Sequence, residues 1–232
     1  MNTFVSTTFI PDGRPLKDAL ILCQDHGIKS IEIGSNHCFE HSYDYINKFS
    51  FEYIVHNYFP IPENSFVLNI ASFNSEVRQR SIEQIFKAID FCQDYGANLY
   101  TFHPGFLTDP GGSNDSNLNY DFKWDEKQLK RANYGKAKEL MYNALDRVIE
   151  YSRKQEVKLA IETEGSLTKK NHLLMQTPAE YEEFMSTYSY SDIGINLNIG
   201  HLNLASKAFN FSKSKFINMI KTYIVAFELS HN

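Results

Sequence analysis

Cys92-Gln93-Asp94-Tyr95-Gly96-Ala97-Asn98-Leu99-Tyr100-Thr101-Phe102-His103 is a helix end, a glycine stop, a short turn and an apolar run that closes on a histidine. Gly96 suits the left-handed residue that ends a helix at little steric cost. Leu99 to Phe102 is short, apolar and bounded by turn residues, and is expected to form a buried strand. The construction occurs earlier as well. Cys23-Gln24-Asp25-His26-Gly27 is followed by Ile28-Lys29-Ser30-Ile31-Glu32-Ile33. One structural solution is used twice.

Outward from these segments the chain alternates strand and helix. Strands are expected near residues 4–9, 30–34, 53–58, 98–103, 158–163, 193–199 and 223–230, seven in all. Helices are expected over Leu16 to His26, Glu76 to Asp94, Gly135 to Gln155 and Ser212 to Lys221. Ile82, Ile85, Phe86 and Ile89 follow the spacing of one apolar helix face. Thr177-Pro178-Ala179-Glu180 opens another helix, with Thr177 as cap, Pro178 in the first turn and Glu180 completing a capping box. Alternation of this kind implies a parallel sheet with right-handed crossovers. It predicts an α/β chain, a (β/α)8 barrel with seven recognisable strands and no eighth unit. The chain stops on a strand end, which suggests a fragment or a barrel completed by a partner chain.

Composition narrows the class. At 232 residues and 42% hydrophobic, the chain is expected to form one domain over 1–232 with a sizeable core. The formal net charge is -5 and no stretch is strongly basic, which argues against nucleic acid as a partner. Cys23, Cys38 and Cys92 show no CxxC spacing and no disulfide framework. No signal peptide and no bilayer-length apolar stretch is recognisable, so a cytoplasmic protein without membrane contact is expected. Cys23 and Cys92 fall on helix core faces, and no nucleophile elbow or phosphate-binding glycine loop is present.

The functional signal lies at the strand ends. Tyr53-Ile54-Val55 runs into His56, Leu99-Tyr100-Thr101-Phe102 into His103, and Lys158-Leu159-Ala160-Ile161 into Glu162. Ile193 to Ile199 passes through Asn198 to His201, and Ile224 to Leu229 ends at His231. A lone histidine after an apolar run is usually structural. Four of the eight histidines in such places, with Glu162, make an N/O donor set suited to zinc or manganese, with magnesium or cobalt as further candidates. Two long connections, 59–75 and 104–134, leave this end. The second mixes Asp109, Asp115, Asp121, Asp125 and Glu126 with Lys123, Lys127, Lys130 and Arg131, and is expected to act as a substrate lid. Tyr58, Phe106 and Trp124 are candidate pocket aromatics; Trp124 is taken as substrate-binding.

The segments Val55-His56-Asn57-Tyr58, Leu68-Asn69-Ile70-Ala71-Ser72, Tyr100-Thr101-Phe102-His103-Pro104-Gly105, Ile161-Glu162-Thr163-Glu164-Gly165 and Gly200-His201 resemble the xylose isomerase-like TIM-barrel superfamily. That group holds sugar-phosphate isomerases and epimerases and the endonuclease IV apurinic endonucleases. The resemblance implies His56, His103, Glu162 and His231 as metal ligands. It implies Glu162 and His231 in catalysis, and Asn198, His201 and Glu164 at the substrate. Two departures stand out. Asn198 occupies the position of a sixth-strand aspartate, and the eighth-strand glutamate, an acid/base residue in the epimerases, has no counterpart.

The leading expectation is a sugar or sugar-phosphate isomerase/epimerase, using a divalent metal and proton transfer by carboxylates. Glu164 is a candidate second base if the strand ending at Glu162 extends to it, against the simpler reading of a solvated loop carboxylate. One rival is a metal-dependent phosphodiesterase on abasic DNA, favoured by the His56/His103 pair. Another is a degenerate, non-catalytic sugar-binding barrel. An exposed sheet edge would favour a homo-oligomer.

Overall fold

The computed structural model describes residues 2–110, 127, 131–168 and 172–229. Trp124, His231 and most of the charged segment after Pro110 therefore lie outside the described residues. The strands are β1 (Val5–Ser6), β2 (Ser30–Ile33), β3 (Glu52–His56), β4 (Leu99–Phe102), β5 (Lys158–Glu162), β6 (Gly194–Asn198) and β7 (Ile224–Glu228). They form one sheet in sequence order, and every neighbouring pair is parallel. The intervening helices are α1 (Leu16–Asp25), α2 (Ser75–Tyr95), α3 (Tyr134–Gln155), α4 (Pro178–Thr187), α5 (Ile199–Phe209) and α6 (Lys213–Ile220).

The sheet curls. Ile54, Leu99 and Ala160 form a small inner cluster, and both Phe4, just before β1, and Ala226 of β7 pack against it. In a flat sheet the first and seventh strands would stand about 29 Å apart at about 4.8 Å per strand. Contact with one shared cluster requires barrel-like closure. The other strand face carries Tyr100, Phe102, Leu159, Ile161, Ile195 and Leu197 into the large core beneath the helices. Strands covered on both sides are apolar throughout, which is why the sequence shows runs here and little alternation.

Local signals account for the boundaries. Gly27 and Gly96 take positive φ, 69° and 71°, at the ends of α1 and α2. Asn74 and Asn133 cap α2 and α3 by accepting from Glu76 N and Lys136 N. Glu180 accepts from Met175 N, Gln176 N and Thr177 N at 2.9, 3.0 and 2.9 Å, fixing the turn before α4. α2 and α3 pack side by side, with Phe86 stacked on Tyr151 at 4.2 Å.

Two expectations are revised in detail. The first strand is short, because Thr7–Phe9 turns into a 3-10 helix. Thr7 is buried there and its hydroxyl oxygen accepts from Gly34 N at 2.9 Å. The sixth run ends at Asn198, and Ile199 onward is α5, so His201 sits in a helical first turn.

Candidate metal centre

Side chains two apart on a strand share a face. The inner cluster residues Ile54, Leu99 and Ala160 therefore predict their own successors. His56, Thr101 and Glu162 follow them onto the inner surface, at the C-terminal end of the sheet. There the apolar barrel floor gives way to polar groups. The cavity above it measures about 590 Å³ and is lined by His56, His103, Glu162, Glu164, His201 and Glu228, among others.

Glu162 is the hub. Its side chain is 1% exposed. Oε1 accepts from Asn198 Nδ2 at 2.9 Å and lies 3.1 Å from His201 Nδ1. Oε2 is buried and has no hydrogen-bond partner. It faces His56 Nε2 at 3.5 Å and His103 Nε2 at 3.7 Å. Those separations are long for hydrogen bonds. They are close to the roughly 3.4 Å expected between two donors of a tetrahedral ion with bonds of about 2.0–2.1 Å. One atom from each of His56, His103 and Glu162 lies within 4.8 Å of the others. An orphaned buried carboxylate oxygen beside two imidazole nitrogens fits a divalent ion.

The surroundings aim these donors. His103 Nδ1 lies 2.7 Å from Glu164 Oε1. A carboxylate oxygen accepts, so Nδ1 carries the proton and Nε2 presents its lone pair to the cavity. His56 Nδ1 meets the Thr101 hydroxyl at 2.7 Å, which holds its Nε2 inward in the same way. His201 Nδ1 donates to Thr163 O at 2.8 Å and toward Glu162, so it orients the hub. Thr163 Oγ1 accepts from Asn198 N at 2.9 Å and ties the ends of β5 and β6 together.

Electrostatics follow this layout. Burial alone would push the Glu162 carboxyl up, but His103, His201 and His56 outweigh it and hold Glu162 well below the usual carboxylate range. Burial lowers His201, yet the hydrogen bond to Glu162 and the charge of Glu164 prevail, and its net shift is upward.

The residues singled out in the sequence fare differently. His56, His103, Glu162, Glu164, Asn198 and His201 come together at one cavity. Trp124 and His231 lie outside the described residues. Asn198 does not offer a free oxygen. Its Nδ2 serves Glu162, and its Oδ1 accepts from His201 N at 3.1 Å to cap α5. Glu164 is not solvated; it is 6% exposed, with Oε1 bound to His103. Tyr58 and Phe106 line the cavity, as do Phe66, Val67 and Leu68 of the 59–75 connection. Thr101, Thr163 and Glu228 escaped the sequence reading. Strand parity would have found Glu228, which stands two residues beyond the inner-face Ala226.

Comparison with known proteins bears on the family and the fold. A family model described as xylose isomerase-like TIM barrel matches residues 20–231. The chain belongs to that family. Among solved structures, a D-tagatose 3-epimerase-like protein aligns over 100% of this chain and 77% of its own, with TM-score 0.69 and 19% identity. 3-Keto-D-glucoside 4-epimerase from E. coli aligns over 93% of this chain and 73% of its own, with TM-score 0.65 and 8% identity. D-psicose 3-epimerase aligns over 98% and 72%, with TM-score 0.62 and 11% identity. At these identities the likeness establishes the fold. Probable endonuclease 4 of Aquifex aeolicus (strain VF5) is 40% identical over 40 residues, a stretch spanning 17% of this chain and 14% of that protein. No helix among the described residues is long and apolar enough to cross a membrane.

Glu164 provides a test of the aiming geometry. Glu164→Ala is expected to lower divalent-metal affinity about tenfold or more, because His103 loses the acceptor that fixes its tautomer. Competition with a chromogenic chelator measures it. An unchanged affinity would show that His103 needs no such partner.

Proposed function

We propose that this chain is a sugar isomerase or epimerase that holds a divalent ion on His56, His103 and Glu162. The observation carrying this reading is the buried, unpartnered Glu162 Oε2 facing two imidazole Nε2 atoms on the floor of a sugar-sized cavity. A divalent ion held there would polarise a sugar carbonyl and its neighbouring hydroxyl oxygen. Glu162 is ionised and reaches the cavity, so it is placed to take a proton from the carbon beside that carbonyl. Glu164 and Thr101 keep the imidazoles aimed, and Asn198 and His201 keep the carboxylate aimed. The fold shared with sugar epimerases supports the substrate class.

The cavity favours a neutral sugar. Among the described residues it is lined by Glu162, Glu164 and Glu228 and by no lysine or arginine. A phosphate group is ordinarily met by such cations or by backbone N–H groups. The same lining opposes a DNA backbone, although the 40-residue likeness to an endonuclease and the His56/His103 pair make abasic DNA the second reading.

The test is a substrate panel with the manganese- or zinc-loaded chain. It comprises free ketopentoses and ketohexoses, their phosphate esters, and a duplex with one abasic site. Turnover of a free ketose, seen by NMR, is the expected result. Cleavage of the duplex without sugar turnover would establish the phosphodiesterase instead. Sugar binding without any conversion would establish the non-catalytic barrel.

A further inference from the structure

Of the motif Leu68-Asn69-Ile70-Ala71-Ser72, Leu68 alone lines the cavity among the described residues. Asn69 is nevertheless fully buried. Its Oδ1 accepts from Ala71 N at 3.1 Å and from Phe106 N at 2.9 Å. Its Nδ2 donates to Phe106 O at 3.2 Å and to Asp109 Oδ1 at 2.9 Å. The carboxamide thus uses both of its donors and both of its acceptor sites. Its orientation is dictated by its neighbours, since N–H groups face one end and oxygens face the other.

These bonds join the two connections that leave the histidine-bearing strands. Asn69 lies on the connection from β3, which ends at His56. Phe106 and Asp109 lie on the connection from β4, just past His103. On the first side, the Ser81 hydroxyl of α2 accepts from Asn69 N at 2.9 Å and donates to Val77 O at 2.7 Å. On the second side, Asn69 grips Phe106 by both its N–H and its C=O, as a paired strand residue would. Ser72 Oγ donates to Asp109 Oδ2 at 2.7 Å and closes the contact. Between His103 and Phe106 stand Pro104, with its fixed φ, and Gly105, at φ 107°. A Cβ on Gly105 would meet Asn69 Oδ1 at 2.7 Å. The turn is packed onto the carboxamide that pins its far end, and it has little slack to pass to the His103 ring.

We propose that Asn69 and Asp109 are positioning residues of the metal centre, a clasp that sets the His103 imidazole against His56 and Glu162. The inference rests on the divalent-ion reading of those three residues. Neither clasp residue lines the cavity, so both act through the turn. Glu164 aims the His103 ring about its own bonds, whereas the clasp sets where the backbone carrying it stands. The His56 and His103 rings lie 5.6 Å apart and 75° to each other. That spacing is fixed from outside the cavity, because the two connections are tied to each other. Asn69→Asp is the sharpest disruption. It keeps the shape, removes the donor to Phe106 O, and sets one carboxylate against another at Asp109.

Cobalt(II) is the probe, because its absorption reports coordination geometry. The metal-free wild type, Asn69→Asp, Asp109→Ala, the Asn69→Asp/Asp109→Asn double variant and Gly96→Ala are titrated with it, beside urea unfolding. Gly96→Ala strains the end of α2 at φ 71°, at the opposite end of β4 from His103, and is the stability control. Asn69→Asp is expected to weaken cobalt binding about tenfold or more and to shift the absorption band. Asp109→Ala, at the half-buried end of the clasp, should do so less, and it carries the test should Asn69→Asp not fold. The double variant again faces an amide with a carboxylate and should recover part of the affinity. Gly96→Ala should lose stability and keep the parent's affinity and band. Parental affinity and band in the folded clasp variant would overturn the proposal. So would an equal loss of affinity in Gly96→Ala, or a double variant no better than Asn69→Asp. A wild type that takes up no cobalt would overturn the metal reading itself, and this role with it.

Discussion

Glu162→Gln is expected to lower the chain's affinity for zinc or manganese by about a hundredfold or more while leaving the fold intact. Changing the groups that merely orient metal ligands costs about 10–100-fold in affinity. Glu162 is a proposed ligand itself, so its loss should reach or exceed the upper figure. The substitution separates the two jobs of this side chain. A glutamine oxygen can still accept from Asn198 Nδ2 and His201 Nδ1, the partners on the Oε1 side. The amide nitrogen cannot ligate, and it falls where Oε2 faces the two histidines. Glu162→Ala is the harsher change. It removes the acceptor from both buried donors and adds a stability loss of about 1–3 kcal/mol for each one left unpaired. Isothermal titration of the metal-free chains, beside urea unfolding, distinguishes the two. Tight metal binding in Glu162→Gln would remove Glu162 from the centre.

Gly165→Ala is expected to cost about 3 kcal/mol or more of stability and to disturb the site with it. Gly165 follows Glu164 at the point where the β5 connection passes α5. A Cβ there would overlap the carbonyl of His201 and sit 3.0 Å from Ala205 N. These are backbone atoms of a helix and cannot rotate aside. Relief requires moving the first turn of α5, which carries the His201 ring that steadies Glu162. Leu167→Ala, two residues on, is the control. Leu167 is 83% exposed, and its loss should stay within about 0.5 kcal/mol. Urea midpoints measure both. A Gly165→Ala chain within about 1 kcal/mol of the parent would mean that α5 tolerates displacement.

What was legible in the sequence follows from what was local. The echo around Gly27 and Gly96 exposed the helix–stop–strand unit, because a left-handed cap and a buried strand each have their own signature. The histidines and Glu162 at run ends were legible because parallel strands present their ends on one face. Helix α5 was not, since Ile199 continues an apolar run and only the Asn198 cap marks the change. Glu164 was misjudged because its partner His103 lies 61 residues away. No local pattern records such a pairing. Glu228 was not legible as a site residue because it lies inside an apolar run that continues through Leu229 to His231. The strand's own alternation, counted from Ala226, places the glutamate inward.

His56, His103 and Glu162 make up the proposed divalent-metal centre. Titration of the metal-free chain with zinc and with manganese tests it most directly, beside the His56→Ala/His103→Ala double variant. The expected result is uptake of one ion per wild-type chain and no tight uptake by the double variant, with both chains folded by circular dichroism. A folded wild type that binds neither metal, or a double variant that binds as well as the parent, would contradict it.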